Sequence, residues 1–168
     1  CGTHVSKVDD GGRIEIGPLA NLPVVKDLAT DMSRFFEKWQ QAEARFVPSK
    51  TREDGIEAIK PTTPGRIAID EAIECINCGV CYAACDTVRW NEEYLGPAAL
   101  NRAWTLVNDE RDAGNASRLK AISARGGCQA CHSHQSCEQH CPKALNPTAA
   151  IAGLKRRAMQ AFVKGEIK

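Results

Sequence analysis

The sequence predicts a mainly α-helical chain built around two cysteine-rich loops. Three observations carry that expectation. Apolar residues recur at three- and four-residue spacing in four separate stretches. Strict alternation, the mark of a half-buried strand, occurs once and briefly, at Arg13-Ile14-Glu15-Ile16. Eight of the nine cysteines fall in two tight clusters.

Taken in order, residues 1 to about 17 are polar and glycine-rich, with the short expected strand at 13–16. Asn21 precedes Leu22 and Pro23, a pattern that predicts a helix cap with proline in the first turn. Val25, Leu28, Met32, Phe35, Phe36 and Trp39 then form one apolar stripe of an amphipathic helix. Residues 47–66 carry Pro48, Gly55, Pro61, Pro64 and Gly65 among charges and read as an irregular connector. Helical spacing resumes at Leu100, Trp104 and Val107, then at Leu119 and Ile122. A final helix spans Ala149, Ile151, Leu154, Met159 and Phe162.

Composition removes several function classes. The 168 residues hold 22 Lys+Arg against 21 Asp+Glu, a formal net charge of +1. No bulk electrostatic case for nucleic acid exists. No run reaches the roughly 18 apolar residues that a membrane helix needs. No nucleophile–base pair, phosphate loop or carboxylate dyad stands out. The cysteine count is odd, and thiols two and three residues apart suit metal ligation better than a disulfide scaffold.

Two segments share one spacing. The first runs Cys75-Ile-Asn-Cys78-Gly-Val-Cys81-Tyr-Ala-Ala-Cys85-Asp86; the second runs Cys131-His-Ser-His134-Gln-Ser-Cys137-Glu-Gln-His-Cys141-Pro142. They match the bacterial ferredoxin run, in which three cysteines wrap one cluster and the fourth ligates the other. That rule assigns Cys75, Cys78, Cys81 and Cys141 to one [4Fe-4S] cluster. It assigns Cys85, Cys131 and Cys137 to a second. His134 stands where a fourth cysteine would complete the second loop. Three thiolates suit a [3Fe-4S] cluster; ligation of a fourth iron by the His134 imidazole is the alternative. Fewer thiolates mean less negative charge, so the second cluster is expected to be the easier to reduce. Cys128 lies outside both repeats and reads as a free thiol. A zinc-organised interaction module is a further reading of the Cys-x2-Cys spacing, and the interleaved runs weigh against it.

These residues resemble a known family, the iron–sulfur subunits of succinate dehydrogenase and quinol:fumarate reductase (respiratory complex II). The resemblance rests on the two cysteine segments, Leu95-Gly-Pro-Ala-Ala-Leu100, Asp109-Glu-Arg-Asp112, Lys143 through Pro147, and Leu19 through Leu28. It implies a helical two-cluster ferredoxin-like domain over 67–168 and a linker helix and connector over 21–66. It also implies that 1–20 is the C-terminal remnant of a plant-type [2Fe-2S] β-grasp domain. On this resemblance Cys1 is a [2Fe-2S] ligand whose remaining partners are missing from this chain. The implied function is that of an electron-transfer subunit, an oxidoreductase component without an active site of its own. It would pass electrons between the FAD of a flavoprotein subunit and a membrane quinone. Partners would be that flavoprotein and membrane-anchor subunits, with no nucleic acid. The place would be peripheral, on the cytoplasmic or mitochondrial-matrix face of a respiratory membrane. Trp90 and His132 would contribute to the quinone pocket.

Two positions depart from the family pattern. Asp86 follows Cys85 where many members have proline, and His134 fills a slot that is usually apolar. The basic positions Lys155, Arg156, Arg157, Lys164 and Lys168 read as a solvated helix face, and Asp109 to Asp112 as a structural ion-pair turn. The competing family reading is the iron–sulfur subunit of another flavin-dependent dehydrogenase, of the glycolate, glycerol-3-phosphate or heterodisulfide reductase type.

Overall fold

A computed structural model describes residues 9–56 and 58–167. Two short antiparallel strands, β1 (Val24–Lys26) and β2 (Ala29–Thr30), precede eight helices: α1 (Ser33–Gln41), α2 (Pro64–Ile69), α3 (Val80–Ala83), α4 (Asp86–Trp90), α5 (Pro97–Val107), α6 (Asn115–Ser123), α7 (Ser136–Gln139) and α8 (Pro147–Val163). Single 3-10 turns at Ala72–Glu74 and Cys128–Ala130 lead into the two cysteine loops.

The core is centred on α5, whose Ala98, Ala99, Leu100, Ala103, Leu106 and Val107 are all buried. Its small residues let α8 approach closely through Ile151, Leu154, Ala158 and Ala161. The closest approach is at Gly153, where a β-carbon would lie 2.5 Å from the Trp104 ring. Leu119 and Ile122 of α6 and Phe35 of α1 close the remaining sides. Phe35 meets Tyr82 edge-on at 5.7 Å, joining α1 to the first cysteine segment.

The two halves repeat one local design. Cys75 and Cys131 have nearly the same backbone angles (φ −63°, ψ 123° and φ −71°, ψ 123°). Two residues later Asn77 and Ser133 both turn left-handed (φ 59° and 58°); two further on, so do Gly79 and Gln135 (φ 75° and 63°). A four-residue helix follows each, α3 in one half and α7 in the other. Left-handed conformations cost a non-glycine residue about 1–2 kcal/mol. The second loop bears that cost at both Ser133 and Gln135 yet keeps the same path.

The N-terminal third departs from expectation. The helix does not start after Asn21; β1 and β2 occupy that ground, and α1 begins at Ser33. Val24 and Val25 are β-branched, and Asp27 accepts the left-handed turn (φ 52°), so a hairpin competes successfully. Val25, Leu28 and Phe36 are exposed, and only Met32, Phe35 and Trp39 of the stripe turn toward the core. Asp31 does the work expected of Asn21. Its carboxylate accepts the Ser33 N–H at 2.8 Å and the Ser33 hydroxyl at 2.6 Å. The strand expected at 13–16 does not form, with Ile14 and Ile16 exposed, and among the described residues no neighbouring strand pairs with it. No strand lies in the described part of residues 1–20, so the structure gives no sign of a β-grasp remnant there. Helix α2 starts inside the segment read as connector. The Thr63 hydroxyl accepts the Arg66 N–H at 3.3 Å, and Pro64 fills the first helical position.

Candidate metal centres

Two cavities lie side by side beneath the cysteine loops. The first is lined by Cys75, Cys78, Cys81 and Cys141. Ile76, Gly79, Ala98, Leu145 and Pro147 supply apolar walls, and Asn77, Asn101 and Lys143 supply polar groups. The second is lined by Cys85, Cys131 and Cys137, with His134 and a set of hydroxyl side chains. Each cavity therefore takes cysteines from both loops. Cys85 and Cys141, the last of each run, have crossed to the other half's cavity.

The long helices explain the crossing. Pro97 faces the second cavity and Ala98 the first; Pro147 faces the first and Thr148 the second. The N-termini of α5 and α8 thus wedge between the two sites. Gly96 sets the entry to α5 with φ 86°, and a β-carbon there would lie 2.7 Å from Tyr82. Both helix N-termini turn their positive ends toward the cavities, which favours a negatively charged occupant.

The thiols feel burial and one another. Burial pushes Cys75 upward, with Cys78 and Cys141 adding repulsion. Cys81 is pushed far up by burial and then by Cys75, Cys137, Cys78 and Cys141. Burial likewise raises Cys85 and Cys137, and each of these also feels Cys131. Such gathering is unfavourable for bare thiolates, and cationic metal inverts it. Among the described residues no three His, Cys, Asp or Glu side chains close tightly enough for a single metal ion. Cysteines spaced around a cavity suit a multi-iron core better than tetrahedral zinc. The donor set fits iron–sulfur clusters.

Around the second cavity the imidazoles and an indole meet. Trp90 lies edge-on to His134 with centroids 6.3 Å apart, and His132 is 6.0 Å from His134. Trp90 is 70% exposed, so its ring is open to a partner. Asp86 opens α4 on the exposed side. Cys128 is fully buried and lines neither cavity. Cys1 lies outside the described residues.

Several residues at these sites carry no signal in the sequence. Tyr94, Thr87 and Thr148 line the second cavity. Tyr94 is 1% exposed, and burial holds its hydroxyl protonated. Asn21 donates to the carbonyls of Tyr82 (3.1 Å), Ala83 (3.0 Å) and Cys85 (3.3 Å), closing the end of α3 beside the cavities. Lys155 donates to the Cys131 carbonyl at 2.8 Å, so this basic residue of α8 buttresses the second loop.

Residues 74–146 match the family model of a 4Fe-4S dicluster domain. The whole chain is 33% identical to the fumarate reductase iron-sulfur subunit of Escherichia coli O6:H1 over 170 residues, covering 68% of that protein. This chain belongs to the family of succinate dehydrogenase and fumarate reductase iron–sulfur subunits. Against the succinate dehydrogenase iron-sulfur subunit of Paracoccus denitrificans, identity is 30% over 177 residues, covering 97% of this chain and 68% of the relative. A chain of the Mycobacterium smegmatis Sdh1 complex in the apo form superposes with a TM-score of 0.80. There, identity is 26% and coverage is 94% of this chain and 66% of that one. This iron–sulfur subunit thus spans about two thirds of the length of its relatives. Among its described residues no helix is long and apolar enough to cross a membrane.

Proposed function

We propose that this iron–sulfur subunit carries electrons between the FAD of a flavoprotein subunit and a membrane quinone, in a complex that interconverts succinate and fumarate. The observation that supports this reading is the pair of adjacent cavities, each ringed by cysteines from both loops. Cys75, Cys78, Cys81 and Cys141 hold a [4Fe-4S] cluster; Cys85, Cys131 and Cys137 hold a [3Fe-4S] cluster. Iron–sulfur clusters supply one-electron transfer when bound, and the protein sets their position and potential. The protein's own share is mechanical and electrostatic. The crossed cysteines tie α3 to α7 and fix the separation of the sites. The α5 and α8 N-termini favour the negative charge that arrives with each electron. The apolar wall of the first cavity excludes water.

The second site faces the quinone. Exposed Trp90, with an N–H donor beside apolar area, and His132, which like Trp90 lies against His134, suit a quinone's oxygen and ring. Cys1 serves as a ligand of a [2Fe-2S] cluster. Membrane-anchor subunits hold the assembly peripherally on the cytoplasmic or matrix face.

Electron paramagnetic resonance of the oxidised complex tests the reading. A near-isotropic signal of an oxidised three-iron cluster is expected. Cys85→Ala removes that signal, while Cys141→Ala removes the four-iron signal seen on reduction. Two four-iron signals and no three-iron signal would assign His134 as a ligand instead.

A further inference from the structure

We propose that Thr87, Tyr94 and Thr148 form a hydroxyl shell that hydrogen-bonds all three cysteine sulfurs of the second cavity and raises the reduction potential there. This rests on the reading that the cavity holds an iron–sulfur cluster.

The two cavities differ sharply in their walls. Among the residues lining the first there is no serine, threonine or tyrosine. The second has five: Thr87, Tyr94, Ser133, Ser136 and Thr148. One of them reaches sulfur directly, and two more share the cavity with the other two cysteines. The Thr148 hydroxyl lies 3.4 Å from Cys137 Sγ. Thr87, two residues after Cys85, and Tyr94 line the same cavity as Cys85 and Cys131. These donors come from three separate elements: α4, the turn before α5, and the first turn of α8. Backbone N–H groups reach sulfur in the second cavity as well. The Ser133 N–H donates to Cys131 Sγ at 3.4 Å, whereas in the first loop the Cys75 thiol donates to Asn77 Oδ1 at 3.5 Å.

The direction of the effect follows from charge. One electron enters the site and one leaves; no bond breaks and the hydroxyl hydrogens stay on oxygen. The added charge spreads onto sulfur, so O–H dipoles aimed at sulfur stabilise the reduced form more than the oxidised form. The effect is strengthened by burial: Tyr94 is 1% and Cys137 8% exposed, and a low local dielectric amplifies each dipole. The hydroxyls therefore act in the same direction as the missing fourth thiolate. They are positioning residues, acting through the cysteines they touch.

The test is a redox titration of the assembled complex, following the three-iron signal and the four-iron signal in the same samples. Tyr94→Phe and Thr148→Val are each expected to lower the midpoint of the three-iron signal while the four-iron midpoint stays fixed. Thr148→Ser, which keeps a hydroxyl, is expected to restore it. Should Tyr94→Phe fail to retain iron, Thr148→Val decides alone. Intact three-iron signals with unchanged midpoints overturn the hydroxyl shell and leave the cluster assignment standing. Equal shifts at both clusters overturn it too, since they report a general change in packing. A wild-type complex without any three-iron signal overturns the reading of the cavity itself.

Discussion

Arg118 is a fully buried cation, and it shows how single residues hold this chain together. Its side chain is 1% exposed, and that of its partner Asp112 is 0% exposed. The guanidinium donates to Asp112 at 2.8 and 3.1 Å, to Asn115 at 3.1 Å, and to the carbonyls of Glu43 at 3.0 Å and Arg45 at 2.8 Å. Asp112 also accepts the N–H groups of Val47 and Gly114. The pair therefore fastens the segment after α1 to the α5–α6 corner. Removing one partner leaves a buried charge uncompensated, so Arg118→Ala is expected to cost about 3–5 kcal/mol of stability. Chemical denaturation of the iron-loaded protein measures it, and a loss below about 1 kcal/mol would assign the pair no more weight than a surface ion pair. The neighbouring Asp109–Arg111 pair is half exposed on its arginine side, and there the expectation of a structural ion-pair turn agrees with the contacts seen. Nothing in the sequence distinguishes Arg118 from the other basic residues; only its buried surroundings do.

Elements differ in how far their own sequence decided them. Helices α5 and α8 carry long apolar stripes and a proline at the first helical position, and both form close to where the spacing puts them. The segment from Asn21 to Thr30 carries a helix-like stripe and forms a hairpin instead. There Asn21 adopts φ 64° and gives its amide to three carbonyls around the end of α3. That role needs a partner some sixty residues away, so no local pattern reports it. Asn21→Ala is expected to destabilise the protein by about 1–3 kcal/mol through unsatisfied carbonyls. The change should also speed hydrogen exchange in α3 more than in α6, and uniform exchange would argue against a local anchoring role. At the α5–α8 contact Gly153 leaves no room for a side chain against Trp104. Gly153→Val is expected to overpack this contact and cost about 1–3 kcal/mol, read as a lowered melting temperature.

Across the whole molecule the two halves are joined by packing and by shared cavities. Each cavity draws cysteines from both loops, so clusters bound as proposed would cross-link α3 and α7. Removing iron with a chelator is therefore expected to loosen both loops together, because binding energy at such sites is also folding energy. Limited proteolysis checks this. New cleavage within 75–85 and 131–141 on chelation is the expected outcome, and cleavage confined to one loop would mean the halves fold independently.

The cysteine spacing, and with it the two loops and the chain's family, was legible in the sequence. Within a dozen residues, bond geometry limits where a thiol can go, so spacing speaks directly of ligation. The helical stripes of the second half were legible for the same reason, being local and periodic. The tertiary structure alone decided which side chains surround the second cavity. Thr87, Tyr94 and Thr148 converge there only because α5 and α8 pack with their N-termini between the sites. Their separation along the chain has no period, and contacts closed by packing leave no periodic trace in the order of residues.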